Sequence, residues 1–309
     1  MRRRSALKMM AGVAAGLVAA GSMGLPAWAA TTWTPLIAPA ALQALLGEDD
    51  LAIIDIRGKA MDGDFAAGHI PGAVWSSYPA DWRRADVAVD ATPSAAELGE
   101  RIASLGVSNR TRVVIVSAGG SATDFGGAAR VYWSLKYAGH DDVAILDGGW
   151  AAWAEAGYGA ETGVTAPVQA AFAVRLREEL LASTERVSMS VASGAVLVDA
   201  RSAEHYGGQS KSLAVAAAGH IPGALNLDSD DLFDAEANRL RPADQLAALL
   251  PRAIKDRSAE IIAYCNGGHL SATDWFVLHE LLGFSNAALY VDSMVGWTAD
   301  PARPVVAGD

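Results

Sequence analysis

A chain of 309 residues, 51% hydrophobic and 19% charged, has the material for about two packed cores and none of the composition of a disordered segment. Its net charge of −11 argues against nucleic acid and anionic membrane as partners. A single cysteine excludes an intrachain disulfide and, with no Cys/His cluster at metal spacing, a structural zinc site; no metal or cofactor is expected.

The first 29 residues read as an export signal. Arg2-Arg3-Arg4-Ser5-Ala6-Leu7-Lys8 precedes an apolar run from Met9 to Leu25, then Pro26 and the small-x-small site Ala27-Trp28-Ala29. The run is short and rich in Gly and Ala, so cleavage rather than membrane anchoring is expected. The paired arginines followed by Leu7-Lys8 resemble a twin-arginine signal, with Ala6 where phenylalanine is common. Cleavage removes four positive charges and no acid, taking the net charge from −11 to −15. The expected location is periplasmic, with no membrane association after processing. A protein that keeps one thiol and no disulfide in an oxidising compartment is expected to use it.

A repeat then sets the architecture. Ile53-Ile54-Asp55-Ile56-Arg57 leads to Gly68-His69-Ile70-Pro71-Gly72-Ala73, and Leu197-Val198-Asp199-Ala200-Arg201 leads to Gly219-His220-Ile221-Pro222-Gly223-Ala224. The two hexapeptides are identical and 151 residues apart. Each half continues with a second strand (Arg112 to Val116; Ile261 to Tyr264), a glycine-rich turn, an apolar helix carrying Trp133 or Trp275, and a third strand (Val143 to Leu146; Ala287 to Tyr290). Strands alternating with helices predict an α/β fold of two domains, each a mostly parallel sheet flanked by helices. The expected boundaries are 40–157 for the first domain, 158–188 for a linker and 189–306 for the second.

Cys265 stands where the second-half strand meets its turn, with Asn266, Gly267 and Gly268 next. Glycines so close to a thiol let a loop wrap an anion, and a strand–turn–helix aims backbone N–H groups at one point, so a reactive thiolate is expected. The first half has Ser117 in the same place with no base beside it, and its turn reads as several residues longer. That half is therefore expected to wall one side of the cleft without chemistry of its own. His69, His220, Asp55 and Asp199 recur in both halves, including the one without a thiol, and read as structural.

The doubled Asp-x-Arg and Gly-His-Ile-Pro-Gly-Ala signatures, one cysteine loop confined to the second half, Asp147-Gly148-Gly149-Trp150 and the run from Gly127 to Trp133 resemble the tandem-domain rhodanese family. These are the thiosulfate and 3-mercaptopyruvate sulfurtransferases, and the resemblance covers about Leu45 to Pro304. It implies that Cys265 takes a sulfane sulfur from a small-molecule donor, thiosulfate being favoured, and passes it as a persulfide to a thiophilic acceptor such as cyanide, a thiol or a thiol protein. It implies a substrate loop of Asn266, Gly267, Gly268, His269, Leu270 and Ser271, whose N–H groups stabilise thiolate and persulfide. The loop departs from the thiosulfate pattern in having no Lys or Arg, and His205 replaces an arginine common four residues beyond Arg201. Arg201 is the expected fixed cation near the cleft, and His269, titrating near neutrality, the expected cation inside the loop; Lys211 is the next candidate.

Two other readings differ in chemistry. Cysteine phosphatases share fold and loop but need an arginine at the position Ser271 occupies. A non-catalytic persulfide carrier or binding module would hold Cys265 without turnover.

Overall fold

The computed structural model describes residues 33–308 apart from 59–61, 85–91, 165 and 255; the export segment read over 1–29 lies outside the described residues. From Trp33 onward the chain forms one compact unit. Among the described residues no helix is long and apolar enough to cross a membrane.

The first half runs β1 (Leu36–Ile37), α1 (Pro39–Leu45), β2 (Leu51–Asp55), α2 (Asp62–Ala67), β3 (Ala73–Trp75), α3 (Ala95–Ser104), β4 (Arg112–Val116), α4 (Ala122–Tyr137), β5 (Val143–Leu146) and α5 (Gly149–Glu155). Its strands form a parallel sheet in the order β1-β5-β4-β2-β3. A connecting segment carries one 3-10 turn, Glu178–Leu180.

The second half runs α6 (Thr184–Ser193), β6 (Val196–Asp199), α7 (Ala203–Tyr206), β7 (Leu225–Asn226), β8 (Phe233–Asp234), β9 (Arg239–Leu240), α8 (Ala243–Leu249), β10 (Ile261–Tyr264), α9 (Ser271–Phe276), β11 (Ala287–Leu289) and α10 (Ser293–Thr298). Its sheet is parallel in the order β11-β10-β6-β7, and β8 and β9 form a small antiparallel hairpin. The strands at the centre of each sheet, β4 and β10, are apolar runs almost wholly buried, as a sheet covered on both faces requires. The expected α/β fold of two parallel sheets is the observed one. The short strands β3, which begins on the last residue of its hexapeptide, and β7, which follows directly after its own, were not anticipated.

The doubled motifs pin corresponding corners. Arg57 forks onto Asp55 and donates to the Gly68 carbonyl at 2.8 Å. Arg201 does the same with Asp199 and the Gly219 carbonyl, also at 2.8 Å. His69 and His220 each donate from Nδ1 to a carbonyl, of Phe65 and Tyr206, and stack on the same residue's ring.

The halves join through α4 and α9, the helices that follow the two central strands. Phe276 meets Tyr132 edge-on at 4.9 Å and Phe125 at 5.6 Å, and the Tyr132 hydroxyl donates to Glu280. The apolar core is continuous across this seam, running from Ile54 and Ile115 through Tyr132 to Phe276 and Ile261.

Candidate active site

β10 ends at Cys265, whose side chain is buried. The loop after it is gripped from outside by the start of α10. Met294 N–H donates to the Cys265 carbonyl at 3.1 Å and Val295 N–H to the Asn266 carbonyl at 3.0 Å. Cys265 N–H donates to Ser293 Oγ at 3.0 Å, and the Ser293 hydroxyl donates on to the Tyr290 carbonyl. Ser293 holds a φ of 51°, strained for any residue but glycine.

With these carbonyls committed outward, N–H groups turn inward, and Gly268 N–H lies 3.2 Å from Cys265 Sγ. Gly268 itself has a φ of 74°, and a Cβ there would meet the Val291 carbonyl oxygen at 2.6 Å, so the loop closes only on glycine. Burial pushes the Cys265 thiol up. The Ser271 hydroxyl and the N–H groups of Ser271, Gly267 and His269 pull it down and prevail, leaving it below the ordinary thiol value. Leu270 already has helical dihedrals and leads into α9, while the side-chain oxygen of Asn266 is buried without a partner.

The first half repeats the grip without the thiol. Trp150 N–H donates to the Ser117 carbonyl at 2.8 Å and Ala151 N–H to that of Ala118 at 3.1 Å, with Gly149 at φ 58° where Ser293 stands. Its turn is not longer, contrary to expectation. Helix α4 begins at Ala122, five residues after Ser117, whereas α9 begins six after Cys265. The residues from Ala122 to Gly127 that looked like extra turn are helix, because Ser121 caps it by accepting from Asp124 N–H.

Two expected cations are corrected. Arg201 is fully buried: its Nε and Nη2 brace Asp199 and the Gly219 carbonyl much as those of Arg57 brace Asp55 and Gly68, and its Nη1 has no hydrogen-bond partner. His269 is not a cation near neutrality. Burial between the loop and α4, reinforced by the Arg83 and Arg130 charges, pushes it down to about 4. As a neutral ring it pairs its Nδ1 with the Tyr78 hydroxyl at 2.9 Å. Lys211, the reserve candidate, donates to the Val215 carbonyl.

The charges at the loop come instead from the first half, and sequence reasoning passed over them. Arg130 of α4 is fully buried and donates from Nη1 to the Gly268 carbonyl at 3.2 Å. Arg83 reaches over the loop, with Nη2 3.5 Å from where a Cβ of Gly267 would be, and hydrogen-bonds Tyr78. Tyr78, Arg83, Ser117, Thr123 and His269 line a cavity of about 440 Å³ at the seam, of which Cys265 is not part of the lining. The one available signal was the absence of a cation in the loop itself, which required one from elsewhere. Among the described residues no three of His, Cys, Asp or Glu come together as a metal ion would need.

Residues 38–156 and 183–300 each match the family model described as a rhodanese-like domain. The chain belongs to the rhodanese family. It is 31% identical over 280 residues to a probable 3-mercaptopyruvate sulfurtransferase of Pseudomonas aeruginosa, covering 87% of this chain and 96% of that protein. It is 32% identical over 271 residues to the putative thiosulfate sulfurtransferase SseB of Mycobacterium tuberculosis, covering 84% and 92%. Among solved structures it superposes on SseA from Escherichia coli, a 3-mercaptopyruvate sulfotransferase of the "rhodanese" fold, with a TM-score of 0.72 at 22% identity over 84% of this chain and 98% of that one. The last likeness concerns the rhodanese fold alone.

Proposed function

We propose that this rhodanese is an exported sulfurtransferase that works through a Cys265 persulfide. The observation that carries the reading is the inward-facing amide loop on the chain's single cysteine, with Gly268 N–H 3.2 Å from Sγ and the thiol held below its ordinary value. The Cys265 thiolate attacks the outer sulfur of the donor. A new S–S bond forms to Sγ, the donor's own bond to that sulfur breaks, and with thiosulfate the leaving group is sulfite, which keeps the bonding pair. The acceptor, cyanide or the thiolate of a small molecule or protein, then attacks the terminal sulfur, and Sγ leaves as thiolate. Loop N–H groups that stabilise the thiolate equally suit the terminal sulfur, since both are anionic.

Thiosulfate is favoured as donor because two guanidinium groups, Arg83 and Arg130, act on the loop, and two cations favour a dianion over a monoanion. The seam cavity, with Arg83 on its wall, is the proposed entry. The test is intact-mass measurement after incubation with thiosulfate or with 3-mercaptopyruvate. A gain of one sulfur with thiosulfate, absent in Cys265→Ser, is expected. A gain with mercaptopyruvate alone would reassign the donor, and a gain without turnover on any acceptor would make the chain a carrier.

A further inference from the structure

Arg130 belongs to the half that lacks a nucleophile, yet its guanidinium is buried at the loop of the other half. Only Nη1 is hydrogen-bonded, to the Gly268 carbonyl at 3.2 Å; Nε and Nη2 are buried without a partner. The side chain lies over the Trp133 ring, 4.8 Å from its centroid. A guanidinium buried without full pairing is costly to keep, and burial brings it down only to about 10, so it is charged at neutral pH.

The Gly268 carbonyl and the His269 N–H are the two ends of one peptide group, and the His269 N–H is among the donors that lower the Cys265 thiol. A cation on the oxygen end polarises the amide, fixes its orientation and strengthens its N–H end. The same charge attracts the thiolate through space. Cys265 and Arg130 lie within each other's field.

The remaining charged and titratable groups around the thiol do not duplicate this. Arg201, on the β6 side, also lies within the field of Cys265, but its charge is paired with that of Asp199. Burial, with the charges of Cys265, Asp199 and Asp228 adding to the effect, pushes Asp274 on α9 well above the ordinary carboxylate range. His269 is neutral, and Tyr264 and Tyr78 are held protonated by burial. Arg83 is engaged with Tyr78, and Asp292, before α10, offsets part of the Arg130 field.

We propose that Arg130 is the fixed cation of the Cys265 site, a positioning residue that acts through the Gly268–His269 peptide to favour the thiolate and then the terminal sulfur of the persulfide. For the persulfide this rests on the sulfur-transfer reading above; for the thiolate it does not. The first half is thereby part of the reactive site, supplying the charge its partner loop lacks.

The test is the pH dependence of Cys265 alkylation by iodoacetamide in the full chain, for the parent, Arg130→Met, Arg130→Gln and Arg130→Lys, with a melting curve for each. Met suits the contact with Trp133; Gln keeps a donor for Gly268 without the charge and carries the measurement should Met not fold. The expected result is a thiol pKa higher by about one unit in Met and Gln, hence an alkylation rate about tenfold lower at pH values below the parent's thiol pKa, with Lys recovering most of the loss. A folded Met or Gln variant with the parent's alkylation profile would overturn the proposal. Sulfur uptake from thiosulfate by the parent is measured alongside. If the parent takes up none, the sulfur-transfer reading fails, while the alkylation profiles still decide whether Arg130 governs the thiol.

Discussion

Cys265 and Ser117 occupy the same corner of their repeats and are gripped by the same kind of helix start, so their difference is chemical. Cys265→Ser is expected to abolish sulfur transfer with an unchanged melting temperature, and Ser117→Ala to leave turnover within a few fold; a large loss from Ser117→Ala at unchanged stability would give the first half a reaction of its own. His269, held down to about 4, is neutral at about pH 7. Accordingly kcat/KM should rise with pH through the lowered Cys265 value, with no alkaline fall contributed by the imidazole. Profiles from about pH 5 to about pH 9 for the parent and His269→Asn check this: an alkaline limb that vanishes in Asn would restore the histidinium. Cys265 was legible in the sequence because it is unique and follows an apolar run into glycines. The charge state of His269 was not, because it depends on a helix and two arginines more than a hundred residues away.

Helix α4 explains why the site was only half legible. Its glycines look like turn residues, and glycine costs a helix about 1 kcal/mol against alanine. They stand there because other side chains lie on the backbone: a Cβ on Gly126 would meet His269 Nε2 at 3.1 Å, and one on Gly127 would meet Tyr78 at 3.2 Å. Arg130 is one turn beyond Gly126, on the face turned to the cysteine loop. Gly126→Ala is therefore expected to favour the isolated helix but displace the His269–Tyr78 pair, lowering turnover several-fold without a fall in melting temperature. Turnover equal to the parent's would mean the pair can shift freely. The central strands, by contrast, could be read directly, since β-branched runs buried on both faces leave little choice of structure. The strained Ser293 could not, because nothing in the sequence marks a serine held at φ 51° with its hydroxyl in two hydrogen bonds.

Taken whole, the molecule holds a buried acid that its continuous core leaves unpaired. Asp274 has neither carboxyl oxygen hydrogen-bonded, and burial pushes it well above the ordinary carboxylate range. Below about pH 4 both folded and unfolded chains carry the proton; above it only the unfolded chain releases it, so stability is lost as pH rises from there towards the folded value. Asp274→Asn does not titrate, and its melting temperature relative to the parent should climb between about pH 4 and about pH 7. A constant difference across that range would show that Asp274 ionises alike in both states. The repeat announced two similar halves. What it could not announce is that α4 and α9 fuse them, since the aromatic residues of that seam are indistinguishable in sequence from ordinary core.

The seam also changes what the connecting peptide is for. Val164 and Val168 on it are 74% and 89% exposed, whereas Tyr132, Phe276 and Arg130 are sealed between the halves. A protease cut engineered beside Val168 should yield two fragments that co-elute in size-exclusion chromatography and still turn over donor, coming apart only in denaturant. The covalent link would then be a tether that raises local concentration during folding, and the working unit a heterodimer that happens to be translated as one chain.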